Sequence, residues 1–137
     1  MKLSKVNERI APAAILPDII QHEEGNGFGL RFKFPDGFAP RQIETFNAEL
    51  PLIVGNCYHK QTNKVFICDA GSVDYVILEI DGNTHVLTEK EIGDNGAFFI
   101  PKSVAYAFEL QGGCGLICLS DTDLTDDSYS NEIMELG

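Results

Sequence analysis

Short glycine-bearing turns punctuate this chain at close, regular intervals, and that punctuation limits the fold more than any other feature. They fall at Ala70-Gly71, Asp81-Gly82-Asn83, Gly93-Asp94-Asn95-Gly96 and Gln111-Gly112-Gly113. Strands recur between them every eight to twelve residues, the pattern of an all-β sandwich or barrel. Asp81-Gly82 joins the runs Val73 to Ile80 and Thr84 to Leu87 and is a strong hairpin signal. His85 lies in that hairpin and is expected to be exposed. No segment reads as a helix of ordinary length, apart from the last few residues.

Upstream, the segment Ala11 to Pro17 holds prolines too close together for a long helix. His22 to Gly27 reads as a turn region, with His22 on the surface. Phe28 to Phe34 alternates: Phe28, Leu30, Phe32 and Phe34 share one face, and Gly29, Arg31 and Lys33 the other. Pro35-Asp36-Gly37 is a turn, and Arg41 to Phe46 is a further strand. No repeat or linker divides the chain. Residues 1–137 are expected to form one domain with an N-terminal extension of about 30 residues.

The chemistry concentrates between Gly55 and Gly71. Cys57 and His59 are two apart on one strand, so they point to one face. Tyr58 should point away. Lys64 opens the next strand in phase with Phe66 and Cys68. An imidazole beside an ammonium group is what proton abstraction next to a ketone requires. In such chemistry His59 can be the base, and Lys64 can stabilise the developing oxyanion. Tyr106 or Tyr58 could serve as an acid on the opposite face.

Gly55-Asn56-Cys57-Tyr58-His59, then Lys64, then Gly71, is similar to the first motif of the cupin superfamily. That motif is a glycine, His-x-His, a glutamate after three or four residues and a closing glycine. Cys57 stands at the first His, His59 at the second and Lys64 at the glutamate. Ile100-Pro101-Lys102-Ser103-Val104-Ala105-Tyr106 resembles the second motif, with Ser103 for its glycine and Tyr106 for its His. The resemblance spans about residues 40 to 120 and implies a double-stranded β-helix, the cupin jelly-roll barrel. Within cupins the segment looks most like the dTDP-4-dehydrorhamnose 3,5-epimerases and the dTDP-sugar 3,4-ketoisomerases. Lys64 falls on the pocket lysine of the former. Gly55, His59 and Lys60 match the latter, with Val54 in place of its arginine. Leu119-Ser120-Asp121 through Asp127-Ser128-Tyr129 is also similar to the ketoisomerase ending.

The resemblance implies an isomerase of nucleotide-linked 4-keto-6-deoxyhexoses acting by metal-free proton transfer in the assembly of surface polysaccharides. His59, Lys64 and Tyr106 are its candidate catalytic residues, and Cys57, Arg41 and Lys60 its candidate substrate-binding residues. No metal and no cofactor are expected, since an ammonium group at the carboxylate position repels cations. Two other classes stay open: a cupin that only binds a sugar nucleotide, and a metal-dependent cupin enzyme. A homodimer is expected, with the N-terminal strand crossing to the partner's sheet.

Composition narrows the partners. The net charge is −11, and seven acids but no Lys or Arg follow Lys102. Nucleic-acid binding needs a basic surface, so it is set aside. The acidic end reads as a solvated tail. No apolar run approaches a membrane span, and the charged N-terminus lacks the apolar core of a signal peptide, so a cytoplasmic protein without membrane contact is expected. Cys57, Cys68, Cys114 and Cys118 show no paired zinc spacing and read as reduced, semi-buried thiols.

Overall fold

The protein is described by a computed structural model covering residues 19–25, 27–92 and 96–135. The expectations for the proline-flanked segment 11–17, for the His22 and Phe28 side chains and for the turn at 93–95 lie outside the described residues.

The chain is nearly all β, as its turn spacing predicts. A hairpin of β1 (Ile19–Glu24) and β2 (Gly27–Phe32) forms its own two-stranded sheet. The remaining strands are β3 (Gln42–Asn47), β4 (Leu52–Tyr58), β5 (Lys64–Ala70), β6 (Tyr75–Ile80), β7 (Asn83–Thr88), β8 (Ala97–Ile100), β9 (Ala105–Leu110), β10 (Gly115–Ser120) and β11 (Tyr129–Ser130). They form two antiparallel sheets, ordered β3-β10-β5-β8 and β11-β4-β9-β6-β7. Neighbours in sequence mostly lie in different sheets or far apart in one sheet, which is the jelly-roll winding expected of a cupin.

Both sheets turn apolar side chains inward. Phe66 of β5 packs against Phe98 of β8 and, edge-on, against Phe108 of β9, with ring centroids 5.3 and 5.2 Å apart. Tyr106 of β9 closes this aromatic cluster at 5.5 Å from Phe66. These tilted and offset rings satisfy the aromatic quadrupole while filling the barrel between the sheets. The site lies above this plug.

Three local features differ from the sequence reading. The backbone of residues 22–24 continues strand β1 and is not part of a turn, and Gly27 already opens β2. His85 is buried, not exposed. Three consecutive residues of β7, His85, Val86 and Leu87, are buried, and the short helix α1 (Glu89–Ile92) folds back on that strand, so both of its faces are covered. The acidic end is neither a free tail nor, through residue 135, a helix. It runs back along the barrel, forms β11 beside β4, and binds Asn56. The Asn56 Oδ1 accepts the N–H groups of Ile133 and Met134, each at 2.9 Å, and its Nδ2 donates to the Met134 carbonyl.

Candidate active site

β4 ends where the site begins. Its register with β9 shifts between Gly55 and Cys57, where Gly55 has φ 101° and Asn56 has φ 55°. Gly55 is required there, because a Cβ would collide with the backbone oxygen and ring of Tyr106. Beyond this bulge Cys57 and His59 are both buried on the inner side, with Cys57 Sγ 3.7 Å from His59 Nε2. Tyr58 points away and stacks on Tyr129 at 5.4 Å.

Two contacts fix the state of the His59 ring. Its Nδ1–H donates to the Asp127 main-chain carbonyl at 2.8 Å, since a carbonyl can only accept. Nε2 therefore carries the lone pair of the neutral ring, and the Tyr106 hydroxyl donates to it at 3.1 Å. Burial holds His59 below the usual imidazole value. The Lys64 cation acts the same way, while the Asp127 carbonyl and the charges of Asp127 and Glu44 oppose it. Burial above all, then the nearby Cys57 and Cys118 thiols, pushes the Tyr106 phenol up, so it stays a donor. Burial likewise pushes the Cys118 thiol up to about 11 against the opposing Lys64 charge, so it stays protonated.

Lys64 opens β5 directly opposite Ser120 of β10, and its Nζ donates to Ser120 Oγ at 2.9 Å. It also reaches across β10 to Glu44 of β3, with Nζ 3.8 Å from Oε1. A cavity of about 420 Å³ opens among these groups. β3 lines it with Gln42, Ile43 and Glu44, the β4–β5 connection with His59 and Thr62, β5 with Lys64, and the C-terminal segment with Leu124, Thr125, Asp127 and Ser128.

Asp127 ties that segment down. Its carboxylate accepts the Gln61 N–H at 2.8 Å, the Lys60 N–H at 3.2 Å and the Thr62 hydroxyl at 2.8 Å. Burial works to raise this carboxyl, but the three donors and the nearby His59 hold it below the usual carboxylate range. Next along, Asp121 accepts both the backbone N–H and the side-chain amide of Asn63, at 2.8 and 2.7 Å. The acids of the tail thus satisfy the orphan donors of the β4–β5 turn.

Of the six candidate residues, the structure brings four together. Cys57, His59 and Tyr106 form one contact group, and Lys64 shares the cavity wall with His59. Arg41 and Lys60 are not among the cavity-lining residues. Arg41 is exposed and sits 3.7 Å from Asp123, and the Lys60 ammonium lies 4.3 Å over the Tyr129 ring. Glu44, Thr62, Ser120 and Asp127 were not singled out from sequence. For Glu44 a signal exists: Gln42 and Glu44 are in phase on one strand and so share a face, which lines the cavity together with the 62% exposed Ile43.

The metal set usual at these four positions does not fit. A thiol, an imidazole with one nitrogen on a carbonyl, an ammonium group and a phenol replace it. Among the described residues no three His, Cys, Asp or Glu side chains are placed to share an ion.

No family model matches the sequence, and no curated protein matches it. Solved structures do. QdtA from Thermoanaerobacterium thermosaccharolyticum, a sugar 3,4-ketoisomerase solved in complex with TDP, aligns at TM-score 0.67 and 19% identity over 85% of this chain and 86% of its own. WlaRA from Campylobacter jejuni, a TDP-fucose-3,4-ketoisomerase, aligns at TM-score 0.65 and 15% identity over 85% and 87%. ChmJ from Streptomyces bikiniensis, a 3'-monoepimerase in complex with dTDP-quinovose, aligns at TM-score 0.62 and 14% identity over 82% and 66%. The fold is that of these cupin-like barrels.

Proposed function

We propose that this protein is an isomerase of nucleotide-linked 4-keto-6-deoxyhexoses, working by proton transfer next to the ketone without metal or cofactor. The observation that carries this reading is the state of His59. It is neutral, its tautomer is set by the Asp127 carbonyl, its basic Nε2 is held by the Tyr106 hydroxyl, and the residue lines a cavity whose wall also holds Lys64. His59 removes the proton alpha to the ketone, and Lys64 stabilises the oxyanion that results. In this reaction the sugar C–H takes the place of the Tyr106 hydroxyl as the partner of the lone pair, and Tyr106 returns to it afterwards. The Cys57 thiol lies 3.7 Å from Nε2. Arg41 and Lys60, outside the cavity, are assigned to the nucleotide phosphates. The solved relatives that hold TDP or TDP sugars support the ligand class.

The wider reading is a single cupin domain over residues 1–137 with an N-terminal extension, acting as a cytoplasmic homodimer in surface polysaccharide assembly. Among the described residues no helix is long and apolar enough to cross a membrane.

Deuterium exchange into TDP-4-keto-6-deoxyglucose, followed by NMR in D2O, tests the reaction. Wild type should exchange the hydrogen next to the ketone. His59→Asn should slow this by about 100- to 10,000-fold, the usual contribution of a general base. Lys64→Met should cost about 3 kcal/mol of oxyanion stabilisation, a slowing of roughly 100-fold. Cys57→Ser should change little. Binding of the nucleotide sugar with neither exchange nor a rearranged sugar product by wild type would establish a binding protein instead.

A further inference from the structure

Moving a ketone to the neighbouring carbon takes two proton transfers, one between carbons and one between oxygens. His59 has a single lone pair, at Nε2, and the carbon-to-carbon transfer uses it. A different group must serve the oxygens. Glu44 Oε1 stands 3.8 Å from Lys64 Nζ, and both side chains line the cavity that His59 lines. Lys64 is held by Ser120 and only 12% exposed, whereas the Glu44 side chain is 49% exposed and open to an incoming molecule. The pair presents a donor and an acceptor side by side, at a spacing that the adjacent oxygens of a sugar ring can bridge.

We propose that Glu44 is a catalytic residue, which together with Lys64 carries a proton from the hydroxyl oxygen to the former ketone oxygen, so that the product is the shifted ketone and not an epimer. The inference rests on the isomerase reading above. The steps balance without any oxidant or reductant. His59 takes the proton from the hydroxyl-bearing carbon, and that electron pair becomes the carbon–carbon double bond of the enediol. The ketone oxygen gains the electrons of its own double bond and takes a proton from Lys64. Glu44 then removes the hydroxyl proton, and the freed pair forms the new carbonyl. The double-bond pair takes the proton of His59 back at the neighbouring carbon. Glu44 returns its proton to the Lys64 amine across their contact, and all three groups end as they began.

The placement of Tyr106 argues for the same product. Inversion at carbon needs a base on one face of the ring and an acid on the other. Tyr106 is buried, bonds His59 Nε2 from the core and is not among the cavity-lining residues, so it does not stand across a bound sugar from His59. Taking and returning the proton on the His59 side moves the ketone and leaves no inverted centre.

The two steps separate experimentally. With TDP-4-keto-6-deoxyglucose in D2O, NMR reads both the deuterium entering beside the ketone and the appearance of the 3-keto sugar. Glu44→Gln should keep exchange within a few-fold of wild type while slowing 3-keto sugar formation by about 100-fold or more. Glu44→Asp should recover part of that rate. A Gln variant forming 3-keto sugar at the wild-type rate overturns the role of Glu44 and leaves the isomerase reading standing. So does a Gln variant that loses both steps together, which would place Glu44 in binding. An epimer as the wild-type product overturns the shuttle. Absence of both exchange and 3-keto sugar with wild type overturns the isomerase reading itself, and the shuttle with it.

Discussion

A peptide carbonyl, not a carboxylate, orients the imidazole of His59, and this shapes its titration. A carbonyl fixes the Nδ1–H without offering a full negative charge in direct contact, so burial prevails and the ring stays neutral. The acidic limb of the pH–rate profile should therefore lie below the usual imidazole value of 6.5. The Tyr106 hydroxyl adds to this, because a donor on Nε2 stabilises only the unprotonated ring. Tyr106→Phe removes that donor and should move the limb to higher pH, toward 6.5. A profile that stays put in Tyr106→Phe would show that the phenol does not hold the lone pair. Much of this residue-level picture was legible in the chain. Period-two alternation placed Cys57 and His59 on one face and Tyr58 on the other. The Glu44 and Asp127 contacts were not legible, because each joins residues far apart in the sequence, and no local pattern encodes such a meeting.

At the scale of elements, the C-terminal segment decides whether the site is assembled. Sequence reads its acids as a solvated face, the usual fate of a charge run. That reading holds for Asp123, Asp126, Glu132 and Glu135, which are exposed, and fails for Asp121 and Asp127, because the turn after β4 leaves the N–H groups of Lys60, Gln61 and Asn63 without strand partners and these two carboxylates accept them. Asp127 and Asp121 satisfy them, and the same step delivers the carbonyl that His59 needs. Asp127→Ala should remove several charge-assisted hydrogen bonds at once and destabilise the protein by about 2–4 kcal/mol. It should also expose the Lys60 and Gln61 amides to hydrogen exchange and reduce turnover through loss of His59 orientation. Unchanged exchange at those amides would mean that the strap holds without Asp127. The pH sign follows from the depressed Asp127 carboxyl. Its contribution is complete above the ordinary value of 3.8 and fades as pH falls from there through the folded value. His59 acts in the same sense at higher pH: its folded value is also depressed, so protonation below 6.5 favours the unfolded chain. Acid should loosen the strap and the ring together.

At the scale of the whole molecule, the turn spacing carried the fold, since evenly spaced short strands leave few alternatives to a sandwich or barrel. It could not say which strand edges stay open. Among the described strands β3 pairs on one side only, with β10, and it carries the exposed Ile43; Leu50 in the following turn is 77% exposed. The β1–β2 hairpin forms its own sheet, and neither of its strands joins the two larger sheets. Open edges with apolar side chains invite pairing with another chain. This supports the proposed homodimer, in which the N-terminal strand crosses to the partner. Charge opposes it. Each chain carries −11, so two copies repel, and salt screens that repulsion over a Debye length of about 8 Å at physiological ionic strength. Light scattering at micromolar concentration should therefore show a dimer whose share rises with added salt, and Ile43→Lys should leave the barrel folded. A monomer at every salt concentration would refute the dimer, while a dimer that salt dissociates would show that ion pairs hold the interface and the apolar edge does not.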